Sequence, residues 1–325
     1  MWFVILIFMG SLGNCKMKKS ITKTIAMILA PLDVLARGIS HLGPFRVRKQ
    51  DAQFQLFHEH YGSSHIVLAN IWNDLTTTLI DDARLDDKDK SESGFKMFLI
   101  ASFFLYTYPK NRGLMASRFL MCTKYCGGER LWKWVTKIGA LKVEKIRWDD
   151  LLDDPESETF IITVDGTDFR TWEQKHPTYN QDKKQCSQKH NHAAKKFEIG
   201  LSVYRAQCVW ISGPHRGGKH DMEIFREGLK HMIAPGKRVI ADRGYQTKRE
   251  DEKMLSLPSH LDSKELYRFK SRARLRHETF NGRVHAFKSM SDTFRHGEKK
   301  LKQVFEAVTV TVQYQMDNGA EIFSV

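Results

Sequence analysis

The sequence predicts an α/β protein: a helical, helix-turn-helix-like half followed by a half in which short strands alternate with helices. Three observations carry this. Apolar residues recur at helical spacing up to about residue 147, short β-branched runs take over after residue 158, and an acidic stretch with a proline separates the two. The implied organisation is an extension over 1–44, a helical domain over 45–156 that could bind DNA, and a strand-containing domain over 157–325.

Composition sets the outer limits. The chain has 325 residues, 52 Lys+Arg against 38 Asp+Glu, a formal charge of +14 and 41% hydrophobic residues. That apolar content excludes a wholly disordered chain, and 8 prolines with 21 glycines exclude a fibrous or low-complexity one. The positive excess favours a polyanionic partner. The five cysteines (Cys15, Cys122, Cys126, Cys186 and Cys208) are too few and too uneven for a disulfide framework, which suits a reducing compartment. Met1–Leu12 is apolar enough for a signal peptide, yet it lacks a preceding Lys or Arg and is too short to span a bilayer. It reads as an extension, with secretory targeting as the alternative. No other segment approaches membrane length, so no membrane partner is expected.

In the first half, Phe54, Phe57 and Tyr61, then Val67, Ile71, Trp72 and Leu75, recur at spacings of three and four and predict helices. Residues 80–94 are acidic and polar and read as a loop. Residues 95–108 form an apolar helix stopped by Pro109. Helices over 112–126 and 129–141 follow, separated by Gly127-Gly128. Three successive helices suit a helix-turn-helix-like unit, although any three-helix bundle has the same pattern. Trp132 and Trp134 read as core anchors. Residues 148–158, with six acids and Pro155, mark the boundary.

In the second half, 159–164 is a strand ending at Asp165-Gly166, and 238–241 is a strand ending at Asp242-Arg243-Gly244. Between them, 197–203 and 207–211 suit a hairpin, and 221–232 an amphipathic helix. Helices are expected over 275–290 and, as helix or strand, 303–316. If the two Asp-terminated strands are parallel neighbours, their acids meet at the carboxyl edge of the sheet, where sites of α/β folds lie. Glu278 lies about 160° around its helix from the stripe of Phe280, Val284 and Phe287, so it need not be buried. Three such carboxylates repel unless a cation holds them, and oxygen donors suit Mg²⁺ or Mn²⁺. Asp-Gly after a strand is equally common turn chemistry.

The stretches VDGTDFR (164–170), ISGPHRGGKHDMEIFR (211–226), ADRGYQ (241–246) and RLRHETFNGRVHAFKSMSDTFRH (274–296) together resemble the DDE superfamily endonucleases, the catalytic domains of cut-and-paste DNA transposases. The likeness is to PIF/Harbinger-like and insertion-sequence-type members and spans about 157–312. It implies an RNase H-like fold, a mixed sheet flanked by helices. It makes Asp165, Asp242 and Glu278 the catalytic and metal-holding residues, 77 and 36 residues apart. It also implies two divalent ions, Mg²⁺ or Mn²⁺, and phosphodiester hydrolysis with strand transfer. DNA would be the partner, in a homo-dimer or higher oligomer, with a separate DNA-binding accessory protein and a nuclear location. A domesticated, non-cutting DNA-binding protein is the alternative. Lys270, Arg272, Arg274 and Arg276 alternate just before Glu278. On an extended segment they would share one face toward a phosphate backbone, with a solvated basic loop as the alternative, and Arg243 beside Asp242 would either touch the scissile phosphate or form a structural ion pair.

Two further sets have simpler readings. Asp221 is either a fourth site acid or a helix cap, and the cap is favoured. Cys122 and Cys126 with His190 and His192 suggest zinc, but buried or surface thiols are favoured.

Overall fold

The structure is a computed structural model describing residues 28–42, 49–120, 128–149, 159–172, 186–187, 192–246 and 253–325. The leader, Cys15, Cys122, Cys126, His190 and most of the acidic boundary lie outside these residues.

The first half is helical: α1 (Pro31–His41), α2 (Gln50–Tyr61), α3 (His65–Thr77), α4 (Glu92–Thr107), α5 (Arg112–Arg118), α6 (Glu129–Ala140) and α7 (Lys142–Lys145). Polar side chains set several starts. Ser64 accepts from the Val67 N–H at 3.3 Å, Ser91 from Gly94 at 3.3 Å, and Asn111 from Leu114 at 2.9 Å. Gly62 ends α2 at φ 70°, a left-handed conformation that favours glycine. Helix α4 is buried along almost its whole length. Its Phe95 and Phe98 pack on Trp72 and Trp134, whose rings stack at 5.9 Å, so Trp134 is a core anchor. The described part of the expected 112–126 helix ends at Arg118, where Phe119 leaves the helical conformation.

The second half holds β1 (Phe160–Arg170), β2 (Cys186–Ser187), β3 (His192–Ser202), β4 (Cys208–Arg216), α8 (Asp221–Glu227), β5 (Arg238–Ala241), β6 (Leu255–Ser256), α9 (Lys264–Ala286), α10 (Lys288–Ser291) and α11 (Glu298–Asp317). These build a mixed sheet flanked by helices. Its order is β2-β3-β1-β5-β6, with β4 also paired to β3. β3 is antiparallel to β1 and β4, whereas β5 is parallel to both β1 and β6. On one face Ile162, Val164, Val239 and Ala241 bury against Phe225, Leu229 and Tyr245. On the other, Ile240 meets Ala273 of α9.

Three expectations change. β1 runs through Asp165 to Arg170, because it stays paired to β3 out to Arg170↔Ala194. Residues 212–216, expected to leave the hairpin, continue β4. Helix α9 starts eleven residues before the expected position, at a Ser263 side chain that accepts from the Leu266 N–H at 3.2 Å. The basic alternation before Glu278 is therefore helical, not extended.

One apolar cluster takes in residues of α1 to α6, together with Phe169 and Phe197 of the sheet and Val304, Phe305 and Val308 of α11. Gln313 of α11 seals the join. Its carbonyl accepts from the Cys208 N–H at 2.8 Å, and its amide donates to the Ala206 carbonyl at 3.2 Å and to Asp317 at 2.7 Å. Among the described residues no helix is long and apolar enough to cross a membrane. Gln313→Leu leaves the buried Cys208 N–H without an acceptor. A loss of about 1–3 kcal/mol is expected in urea unfolding, against a near-neutral Gln303→Leu at a less buried place on the same helix.

Candidate active site

The parallel register fixes the two aspartates. Val164 on β1 pairs with Ala241, the last residue of β5, so Asp165 and Asp242 each follow a paired position on neighbouring segments. Side chains alternate along a strand, so Asp165 leaves the face opposite Val164, which is the face covered by α9.

Three hydrogen bonds fasten that face of β1 to one stripe of α9. Thr163 Oγ1 meets His277 Nδ1 at 3.0 Å, Asn281 Nδ2 donates to Asp165 Oδ2 at 3.2 Å, and Thr167 Oγ1 meets His285 Nε2 at 3.0 Å. Steps of two along a strand cover about 6.6 Å and steps of four along a helix about 6.0 Å, so the two periods stay in phase. Glu278 follows His277 in this ladder, is exposed, and lies near enough for its carboxylate to act on Asp165. Asp165 is pushed up to about 7, first by burial and then by the carboxylates of Asp242 and Glu278, with a smaller push from Asp221.

Asp221 belongs to this place. His220, not Asp221, is the cap residue of α8, and its side chain makes no cap hydrogen bond. The favoured cap reading of Asp221 is therefore corrected. Its carboxylate sits between the glycines that follow the two strand acids. A Cβ on Gly166 would lie 2.7 Å from Asp221 Oδ1. One on Gly244 would lie 2.5 Å from Asp221 Oδ2 and 3.0 Å from Asp242 Oδ1. Neither glycine has a positive φ, so they serve to leave room. Lys196 on β3 donates to Asp221 Oδ1 at 2.8 Å and to the Lys219 carbonyl at 3.0 Å.

The acids are separately satisfied. Asp165 Oδ1 accepts from the Gly166 N–H at 2.9 Å, and Asp242 Oδ1 from the Gly244 N–H at 2.6 Å. Among the described residues no three His, Cys, Asp or Glu side chains already form a metal-binding group. The donor set nevertheless suits a hard divalent cation. It is all carboxylate, and the buried Asn281, bonded through its amide nitrogen to Asp165, has an amide oxygen with no partner. Beneath the site Glu198 is fully buried and pushed up to about 7 by that burial. It accepts from Trp210 Nε1 at 3.0 Å and from the Tyr245 hydroxyl at 3.3 Å, anchoring the turn that carries Asp242.

The basic residues separate. Lys270 is buried, donating to Asp262 at 2.8 and 2.9 Å and to the Leu257 carbonyl at 3.2 Å. Arg276 is buried, donating to the carbonyls of Ser202, Val203 and Arg205, and burial lowers it to about 10. Arg272 donates to the Ser324 carbonyl at 2.7 Å. Arg274 lies 3.9 Å from Asp242, and Arg243 is exposed beside that acid. The expected single face of four cations is thus corrected: at 100° per residue a helix scatters them, and two are consumed by the fold.

Residues 164–313 match the family model of the DDE superfamily endonuclease. The matched stretch contains Asp165, Asp242 and Glu278, as well as Asp221, Lys196 and Asn281. No curated protein and no solved structure matches the chain. Sequence reasoning missed Lys196, Asn281 and the ladder. Their signal was there as Thr163, Asp165 and Thr167 at period two beside His277, Asn281 and His285 at period four.

The Asp165 shift has a stability consequence. A carboxyl raised on folding favours the folded state below its unfolded pKa, and that support is lost as pH rises through about 7. In cation-free buffer at pH 8, Asp165→Asn should unfold at higher urea than the parent. The advantage should vanish below about pH 4; equal midpoints at pH 8 would contradict the crowding of acids described here.

Proposed function

We propose that the chain is a transposase-type DNA endonuclease that hydrolyses phosphodiester bonds and transfers strands. The observation that supports it most is the in-register placement of Asp165 and Asp242, with Glu278 beside them on α9, inside the stretch that matches an endonuclease family. The sheet order, a three-strand antiparallel meander followed by two parallel strands, also suits the RNase H-like fold that the resemblance implies.

Asp165, Asp242 and Glu278 would hold the divalent cation, Mg²⁺ or Mn²⁺ and by family likeness two ions. Its chemistry is to activate an attacking water or hydroxyl and to stabilise the leaving oxygen of a phosphodiester. The chain's own residues prepare the place. Asn281 orients Asp165, and the Glu198–Tyr245 bond holds the turn bearing Asp242. Arg274 and Arg243 supply positive charge where an anionic backbone would approach. With DNA as the substrate, the proposal includes a nuclear location, and strand transfer suits an assembly of several copies with an accessory DNA-binding protein.

Incubating the full chain with supercoiled plasmid and Mg²⁺ or Mn²⁺ tests this. Open circles should appear, and Asp165→Ala should produce none. Folded parent protein that binds the plasmid yet never nicks it would leave a non-cutting DNA-binding protein instead.

The two arginines should behave differently. Arg274→Ala should weaken DNA binding and lower the slope of log affinity against log salt by about one, with little effect on unfolding. Arg276→Ala removes the partner of three buried carbonyls and should cost about 3 kcal/mol in urea unfolding.

A further inference from the structure

We propose that Asp221 is a fourth carboxylate of the cation site, reaching it from the opposite face of the sheet, with Lys196 as its counter-charge when no cation is bound. This deepens the endonuclease reading and rests on it. Beyond Ala241 strand β5 has ended, so the flank of β1 next to Asp165 and Gly166 is open. α9 brings Glu278 and Asn281 to that gap from one face, and α8 brings Asp221 from the other. The two glycines show how closely it comes, since Asp221 Oδ2 and Asp242 Oδ1 crowd the same point beside Gly244.

A second observation points to a ligand. Asn281 is 8% exposed, its amide nitrogen bonds to Asp165, and its amide oxygen has no donor. A buried acceptor left without a donor is costly, and a cation at this gap would satisfy it. The Lys196–Asp221 pair is largely buried, with side chains 14% and 23% exposed, and it lies in the same gap. An ammonium there neutralises a carboxylate that would otherwise face Asp165 and Asp242. A divalent cation would take over that task, freeing Lys196.

The test is Mn²⁺ binding to the full chain, read as free Mn²⁺ by electron paramagnetic resonance, with urea unfolding of each variant to confirm folding. Asp221→Asn keeps the shape and should weaken Mn²⁺ binding about tenfold or more. Lys196→Met removes the competing ammonium and should leave binding equal or tighter. Asp221→Asn with unchanged Mn²⁺ affinity overturns the proposal. So does an equal loss in Asp221→Asn and Lys196→Met, because the pair would then act only as a structural tie. Asp165→Asn separates the two levels. If it binds Mn²⁺ as the parent does, or the parent binds none, the endonuclease reading fails as well; if only Asp221→Asn is silent, the triad stands without a fourth acid.

Discussion

The site depends on the fastening of β1 to α9 through Thr163–His277, Asp165–Asn281 and Thr167–His285. An apolar strand–helix contact is non-directional and can adjust by small shifts. A polar one cannot, because each slip leaves buried donors or acceptors unpaired. The ladder therefore sets the height of Glu278 relative to Asp165 along the sheet. The parallel register of β1 with β5 sets Asp242 beside Asp165 in the same way. His277 shows what this costs. It is 3% exposed and lowered to about 3, first by burial and then by Arg274 and Arg276, so it works as a neutral hydrogen-bonding ring.

Around this frame the electrostatics are unfavourable by construction. Asp165 is held at about 7 by burial and neighbouring carboxylates, and Glu198, on the adjacent strand, reaches about the same value, chiefly through burial with a smaller push from Asp221. Asp262 and Glu306 are instead paired, with Lys270 and Lys142. The two raised carboxyls, Asp165 and Glu198, lie on neighbouring strands, and near them Lys196 holds Asp221.

How much of this was legible follows from which physical signal each feature leaves. Apolar periodicity gave α2, α3, α4 and α6 and the strand over 238–241, because burial acts residue by residue. Asp165 and Asp242 were legible as strand-end acids. Their glycines were ambiguous, since turn chemistry and the need for room beside Asp221 leave the same two letters. Alternation of Lys270, Arg272, Arg274 and Arg276 suggested an extended segment. The contrary signal was Phe269, Ala273, Phe280 and Val284, whose spacing is helical and which pack inward. A period-two pattern of charge says little when the apolar residues between keep another period. Asp221 looked like a cap because it stands at a helix start. Only the approach of α8 to the sheet, a matter of tertiary distance, separates a first-turn acid from a cap.

Among the described residues, the helical half bears on the same site through packing. Helix α11 presents Val304, Phe305 and Val308 to the cluster that the upstream helices share, and Gln313 to the start of β4. Phe305 stacks on Phe197 of β3 at 4.0 Å, and Phe169 of β1 lies 5.7 Å from it. Phe169 is four residues beyond Asp165 on one strand, and Phe197 neighbours both Lys196 and Glu198 on the next. A shift of α11 would thus be felt at the strands that carry Asp165, the lysine bonded to Asp221 and the buried anchor of the Asp242 turn. Close-packed interiors transmit such shifts because they have little free volume to absorb them. The upstream helices, through the cluster they share with α11, therefore bear on the strands that carry Asp165, Lys196 and Glu198.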